Sequence, residues 1–180
     1  DLLEVSLLLG AHMLMLAGKA QDVETGRAML TQALESGRGL EKFREMVAAQ
    51  GGDPRVIDDL SLLPQARVVR RVRAGKSGYI ASMDTTTLGL VSQGMGAGRV
   101  LKTDVIDYSV GFVLPVRIGD QVGKDDLLVT LYARDEESAD VAESRIRKAI
   151  SFSDVPVSRP PLWYACVTKD GVRNAPHAQS

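Results

Sequence analysis

The chain has 180 residues, 44% hydrophobic and 25% charged, with 22 Lys and Arg against 23 Asp and Glu, for a net charge of −1 and a pI near 6.2. This balance, without any run of Lys or Arg, lacks the electrostatic footprint of a nucleic-acid binder or a polybasic membrane patch, so neither partner is expected. A single cysteine, Cys166, excludes an internal disulfide and a cysteine zinc site and suits a reducing cytoplasm. The length allows one domain or two small ones, and the start at Asp1 without Met leads us to expect a part of something longer.

Asp1 to Ala20 carries Leu, Met, Val or Ala on almost every helical face, the pattern of a helix surrounded by protein. Its most apolar stretch, Val5 to Ala17, is broken by Ser6, Gly10 and His12 and falls short of the ~20 residues of a membrane span. It also lacks the basic start and cleavage site of a signal peptide. Asp22 is expected to cap a second helix with Glu24 and Thr25 in its first turn and Gly37 as its stop. Leu40 to Gln50 predicts a third, with Phe43, Met46 and Val47 inward and Gly51-Gly52 ending it. Asp53-Pro54 reads as cap and first residue of a short helical turn through Asp58.

After the loop Asp59 to Ala66, β-branched residues begin to alternate with charged ones in Arg67 to Arg73. The predicted elements beyond are a strand over Gly78 to Met83 and a helix from an Asp84 cap through Ser92, ended by Gly94. Strands follow at Val110 to Ile118 and Leu127 to Ala133, then a helix over Glu136 to Ser151. An extended edge stretch runs from Val155 to Val167, since Pro156, Pro160 and Pro161 cannot donate to a ladder. Lys169 to Ser180 is read as a mobile tail. The expected organisation is a helical segment over 1–66, an α/β domain over 67–168 and the tail over 169–180.

Few residues suggest chemistry. Gly94-Met95-Gly96-Ala97-Gly98 could bring backbone amides to an anion, but it follows a helix C-terminus and has no Gly-Lys-Ser/Thr ending, so a C-cap and tight turn is expected. His12 lacks the convergent partners a metal needs, and His177 lies in the tail. Cys166 has no nearby base, and a buried inert thiol is expected. Asp104, Asp107, Asp120, Asp125 and Asp126 are numerous enough for a metal but sit where Asp serves turns. Ile118 to Leu131 has the rhythm of two short strands joined by a Gly- and Asp-containing turn. That rhythm resembles the half-barrels of biotinyl and lipoyl carriers, with Lys76 as the only candidate attachment lysine. Lys76 lacks the flanking methionines or Asp-Lys-Ala of those carriers, so a solvated turn lysine is the expectation.

A closer resemblance rests on the order of several segments. Lys76-Ser77-Gly78-Tyr79-Ile80, Asp84 leading Leu88-Gly89, Gly96-Ala97-Gly98-Arg99, Asp107-Tyr108-Ser109-Val110-Gly111 and Gly119-Asp120-Gln121-Val122 with Leu127-Leu128 resemble the C-terminal domain of thymidine and pyrimidine-nucleoside phosphorylases. Leu7 to Leu14, Leu40-Glu41-Lys42-Phe43, Gln50-Gly51-Gly52-Asp53 and Leu63-Pro64-Gln65-Ala66 resemble the preceding helical stretch of that family. The resemblance covers Asp1 to about Tyr164.

It implies an α+β fold: the remainder of a larger α/β domain, then an α/β-hammerhead, barrel-sandwich-like domain. It further implies a cytoplasmic, homodimeric pentosyltransferase that splits a pyrimidine nucleoside with inorganic phosphate, giving the base and (deoxy)ribose 1-phosphate. The family's Lys-His-Ser-Thr-Gly-Gly phosphate loop, its base-holding Arg, Ser and Lys, and its Gly-Asn-Ala-Leu-Glu segment do not occur here; Thr25-Gly26 has no Lys-His before it. No catalytic, substrate-binding or metal residue and no cofactor is therefore assigned, and the chain alone is expected to be inactive. Its expected role is structural, completing the large domain and helping a cleft close over phosphate, with the N-terminal remainder of the same enzyme as partner. Anthranilate phosphoribosyltransferases lack the C-terminal module, which favours nucleoside phosphorolysis. A free-standing carrier module and an interaction or regulatory domain are the other readings.

Overall fold

The computed structural model describes residues 1–175. The chain divides into two compact units: Asp1–Leu62 with the segment from Pro161 onward, and Leu63–Pro160. Sequence expectation had grouped 161–168 with the sheets.

The first unit is helical. α1 (Leu2–Leu16) is capped by Asp1, whose carboxylate accepts from the Leu2 amide at 2.7 Å. α2 (Val23–Glu35) begins where Asp22 accepts from the Thr25 amide at 2.7 Å. Gly26 lets it cross α1 closely, because a Cβ there would stand 2.9 Å from the Ala11 Cα. Gly37, with φ of 75°, turns the chain into α3 (Arg38–Ala49). Arg44 of α3 then forms a bidentate pair with Asp58, at 2.7 and 2.9 Å, across a 3₁₀ turn at Pro54–Ile57 capped by Asp53. Two expectations are corrected here. Only Ala11 of α1 is buried, so among the described residues the helix is not surrounded; and Phe43 and Met46 of α3 are exposed while Val47 is half-buried.

The second unit contains β1 (Val68–Arg73), β2 (Gly78–Met83), α4 (Thr85–Ser92), β3 (Gly111–Val113), β4 (Gln121–Val122), β5 (Leu127–Ala133), α5 (Glu136–Ala149) and β6 (Ile150–Ser153). These strands form two antiparallel three-stranded sheets, ordered β1-β5-β3 and β4-β2-β6. The mixed helix-and-sheet class agrees with expectation. The two short strands joined by a turn within Ile118 to Leu131 are present as β4 and β5, but β4 pairs with β2 and β5 with β1 and β3, so they belong to different sheets. α5 also ends two residues early, and Ile150 and Ser151 pass straight into β6. Strand order in the Val110 to Ile118 region is confined to Gly111–Val113.

The core gathers Leu128, Val129, Leu131 and Ala133 of β5, Val72 of β1, Ile80 of β2, Leu88 and Val91 of α4, and Ala139, Ala142, Ile146 and Ala149 of α5. The α5 set recurs at three- and four-residue spacing, the stripe of an amphipathic helix. Its other side carries Glu136, Asp140 and Glu143, which all pair with Arg70 of β1: Asp140 at 2.5 Å, Glu143 at 3.4 Å and Glu136 in close contact. Charge thus clamps the edge of α5 against β1, and these carboxylates keep the Arg70 guanidinium more firmly protonated than usual.

Beyond the sheets, β7 (Ala165–Thr168) and β8 (Gly171–Asn174) form a two-stranded hairpin. Residues 171–174, assigned to a mobile tail on composition, are therefore ordered strand. The three prolines of 155–164 lie outside any strand. Because Leu131 is fully buried, Leu131→Ala should lower stability by roughly 2–5 kcal/mol. Urea unfolding followed by circular dichroism checks this, and a change under 1 kcal/mol would contradict the core described above.

Candidate functional site

Of the sequence features that suggested chemistry, the glycine-rich run and the loop after it form the most developed local structure. Asp84 accepts from the Thr87 amide at 3.0 Å and hydroxyl at 2.6 Å, which starts α4. The expected stop at Gly94 does not occur. The chain continues as a π-helical turn over Gln93–Ala97, and the break comes at Gly96, whose φ of 111° is disfavoured for any residue with a Cβ. The Asp107 amide donates to the Gly96 carbonyl at 2.9 Å, and the Gln93 side chain donates to the Arg99 carbonyl at 2.6 Å. These two bonds close the base of a loop spanning 98–107.

The loop satisfies its own backbone. Asp104 accepts from the amides of Val100 and Leu101 at 2.9 and 2.8 Å, while Arg99 donates to the Asp104 carbonyl at 3.1 Å. Asp107 accepts from the Ser109 amide at 2.9 Å and hydroxyl at 2.6 Å. The amides of Val100, Leu101 and Ser109 are thus taken by carboxylates of the loop itself. The loop leaves Val100, Leu101 and Val105 exposed, as is the adjoining Tyr108, together with Arg99, Lys102 and Thr103. These four large apolar side chains are exposed within one short stretch of chain.

On the other side of the π turn, a cleft of about 360 Å³ lies between α4 and the first half of α5, lined by Val91, Gly94, Met95, Ser138 and two arginines, Arg134 and Arg145. Asp135 and Glu137 share it, and Arg134 pairs with Asp135 at 3.4 Å, so the cleft has no net preference for an anion. At the start of α5, Asp135 and Ser138 form a reciprocal capping box that takes up the Ser138 amide.

The remaining candidates are dispersed. His12 is half-buried on α1. Cys166 is half-buried rather than buried, opposite Arg173 in the β7–β8 hairpin. Lys76 is exposed, its ammonium 4.5 Å from the centre of the Phe152 ring, on a connection between strands of different sheets rather than at a hairpin tip. Asp120 accepts from the Arg117 amide at 2.7 Å and pairs with Arg159; Asp126 accepts from the Gly123 amide at 2.8 Å, and the Asp125 carbonyl accepts from Arg73. The aspartates build turns, as expected, and no group of three or more His, Cys, Asp or Glu is arranged for a metal among the described residues. His177 lies outside the described residues. No helix among those described is long and apolar enough to cross a membrane. Sequence reading did not anticipate the apolar loop; its signal was Val100, Leu101, Val105 and Tyr108 between closely spaced aspartates.

Residues 79–153 match the family model for the pyrimidine nucleoside phosphorylase C-terminal domain. The chain is 40% identical over 164 residues to the pyrimidine-nucleoside phosphorylase of Geobacillus stearothermophilus, covering 91% of this chain and 38% of that protein. It is 40% identical over 169 residues to the pyrimidine-nucleoside phosphorylase of Staphylococcus aureus strain USA300, covering 94% of this chain and 39% of that protein. The chain thus spans about two fifths of the length of these relatives.

Two outcomes test the loop's construction. Gly96→Ala should speed hydrogen exchange of the Asp107 amide, measured by NMR, because a Cβ at positive φ disturbs the carbonyl that receives it; unchanged exchange would refute the anchor. Hydrogen bonds to the charged form hold Asp84, Asp107 and Asp135 below the usual carboxylate range, chiefly from the side chains of Thr87, Ser109 and Ser138. A depressed folded pKa gives stability that is complete above the unfolded value of about 4 and lost as pH falls through the folded value. The thermal midpoint should therefore be flat from pH 7 to about 5 and fall below about 4. Asp84→Asn and Asp135→Asn should make that fall shallower, and an unaltered acid limb would contradict the assignment.

Proposed function

Since this chain carries the C-terminal domain of the pyrimidine nucleoside phosphorylases, we propose that it works as the C-terminal part of an enzyme that uses phosphate to cleave thymidine- and uridine-type nucleosides to the base and (deoxy)ribose 1-phosphate. The observation that carries this reading is 40% identity over nine tenths of the chain, with residues 79–153 matching that domain. The parent would be a cytoplasmic homodimer with phosphate as co-substrate and no cofactor held by this chain; the lone Cys166 suits that compartment.

In this reading the Leu63–Pro160 unit adopts the α/β-hammerhead, barrel-sandwich-like arrangement, which its two small sheets and the packed α5 support. Its contribution is mechanical. The self-bonded loop 98–107 holds apolar side chains ready to pack when the cleft of the complete enzyme closes over phosphate and nucleoside. Closure excludes water, which strengthens every electrostatic contact at the reacting centre and blocks side reactions. The chain's own residues neither bind nor activate the nucleoside, because the phosphate-loop and base-holding motifs are absent from it.

The experiment is phosphorolysis of thymidine and uridine, followed by release of base. The isolated chain should show none. Joined at Asp1 to the front three fifths of the Geobacillus stearothermophilus relative, it should give phosphate-dependent cleavage, and Leu101→Glu with Val105→Glu in that fusion should lower kcat at least tenfold. Activity of the isolated chain, or a folded fusion indifferent to the loop changes, would overturn the proposed division of labour.

A further inference from the structure

β1 stands at one edge of its sheet and pairs with β5 alone, so the main-chain groups along its other side have no strand to bond. Its side chains alternate between two faces. Val68 and Val72 join the core, and Arg70 between them meets Glu136, Asp140 and Glu143 of α5. The opposite face carries Val69 and Arg71, both exposed, and the alternation continues back to exposed Arg67, one residue before the strand. Across the sheet, the register sets Tyr132 and then Gly111 beside Val69, and Thr130 and then Val113 beside Arg71. This side is open, with Val69 59%, Val113 56% and Tyr132 37% exposed.

Charge is segregated between the two faces. The three carboxylates gather on Arg70, while β1, β3 and β5 themselves contain no Asp or Glu. Among the described residues neither Arg67 nor Arg71 makes an ion pair; Arg67 acts on Asp107 only at longer range, and Arg73 is spent on the Asp125 carbonyl.

We infer that the free edge of β1 takes up an acidic, extended segment of a partner protein as an added strand, with an acid–x–apolar–x–acid pattern in register with Arg67, Val69 and Arg71. The inference does not depend on the proposed function. Three observations select this occupant. Same-face positions on a strand lie about 6.7 Å apart, so an incoming strand sets alternate side chains opposite positions 67, 69 and 71, where opposite charges stabilise a cross-strand pair. A second copy of the same edge is unsuited: in antiparallel self-pairing centred on Val69, Arg67 faces Arg71 twice, and charged side chains of this kind are how edge strands resist self-association. Exposed Val69 between the two arginines, with Tyr132 beside it, adds an apolar seat that a purely electrostatic site does not need. In such strand addition the main chain gives affinity and the alternate side chains give specificity.

The test titrates the full 180-residue chain with the capped peptide Ser-Asp-Thr-Val-Thr-Asp-Ser, read by fluorescence polarisation and by NMR hydrogen exchange. At saturation the β1 amides on the free edge should exchange at least tenfold more slowly, with those of β5 unchanged. Arg67→Glu with Arg71→Glu should weaken binding at least tenfold and shift preference to the peptide with Lys for both Asp, whereas Arg67→Lys with Arg71→Lys should keep the Asp peptide. Both positions are exposed, so circular dichroism should show the fold intact in each variant. Methylating one alternate set of the peptide's backbone nitrogens should abolish binding and methylating the other should not, since only one set faces the edge. The inference fails if β1 gains no protection, if both methylated peptides bind alike, or if the charge-reversed chain still prefers the Asp peptide. It fails too if a single-stranded oligonucleotide binds these arginines more tightly than the peptide does, which would make the face a nucleic-acid surface. Protection of β1 that rises with protein concentration, without peptide, would assign the edge to a second copy. Loss of peptide binding in the fusion described above would assign it to the rest of that polypeptide, and either result overturns the inference.

Discussion

The second unit depends on the burial of β5. Leu128, Val129, Leu131 and Ala133 of this strand are all removed from solvent, so β5 must have neighbours on both edges and cover on both faces. β1 and β3 supply the edges, and α5 supplies cover through Ala139, Ala142, Ile146 and Ala149. Small side chains on α5 allow close approach, and the hydrophobic gain scales with the apolar area removed from water. Arg70 then fixes the helix at its solvent edge. Each pair it makes is partly exposed and individually modest, but three carboxylates converging on one guanidinium restrict how α5 can slide.

The helical unit shows what happens when that condition is unmet. α2 takes up one side of α1, and the Ala11–Gly26 approach leaves no room for a Cβ at Gly26. The capping aspartates and the Arg44–Asp58 pair give α2 and α3 good local definition. Local definition does not create a core, and the large apolar residues Leu2, Leu9, Leu16, Phe43 and Met46 stay in water.

The loop after α4 follows a different logic. Its amides and carboxylates satisfy one another over a few residues, so its conformation owes little to distant contacts. The π turn at Gln93–Ala97 aims it, and Gly96 permits the backbone angle at which a carbonyl can receive the Asp107 amide. A loop ordered this way can carry apolar residues without collapsing onto the core.

Local chemistry was legible in the residues alone. The strand Gly78–Met83, the Asp22, Asp53 and Asp84 caps and the turn-building aspartates are settled by neighbours a few positions apart, where hydrogen-bond geometry leaves few options. Several of the segments quoted for their resemblance fall within residues 79–153, which match the family model for the pyrimidine nucleoside phosphorylase C-terminal domain. Pairing was not legible. The turn between β4 and β5 joins two strands that pair in different sheets, β4 with β2 and β5 with β1 and β3, and no local pattern specifies those distant partners. Phe43 and Met46 lie on a stripe that sequence reads as inward, yet inward has meaning only if something stands there. The same holds for the catalytic question: the sequence by itself determined that the phosphate-holding motifs are absent from these 180 residues. Only the tertiary structure decided which apolar surfaces remain open, because burial is a property of what surrounds a residue and not of the residue.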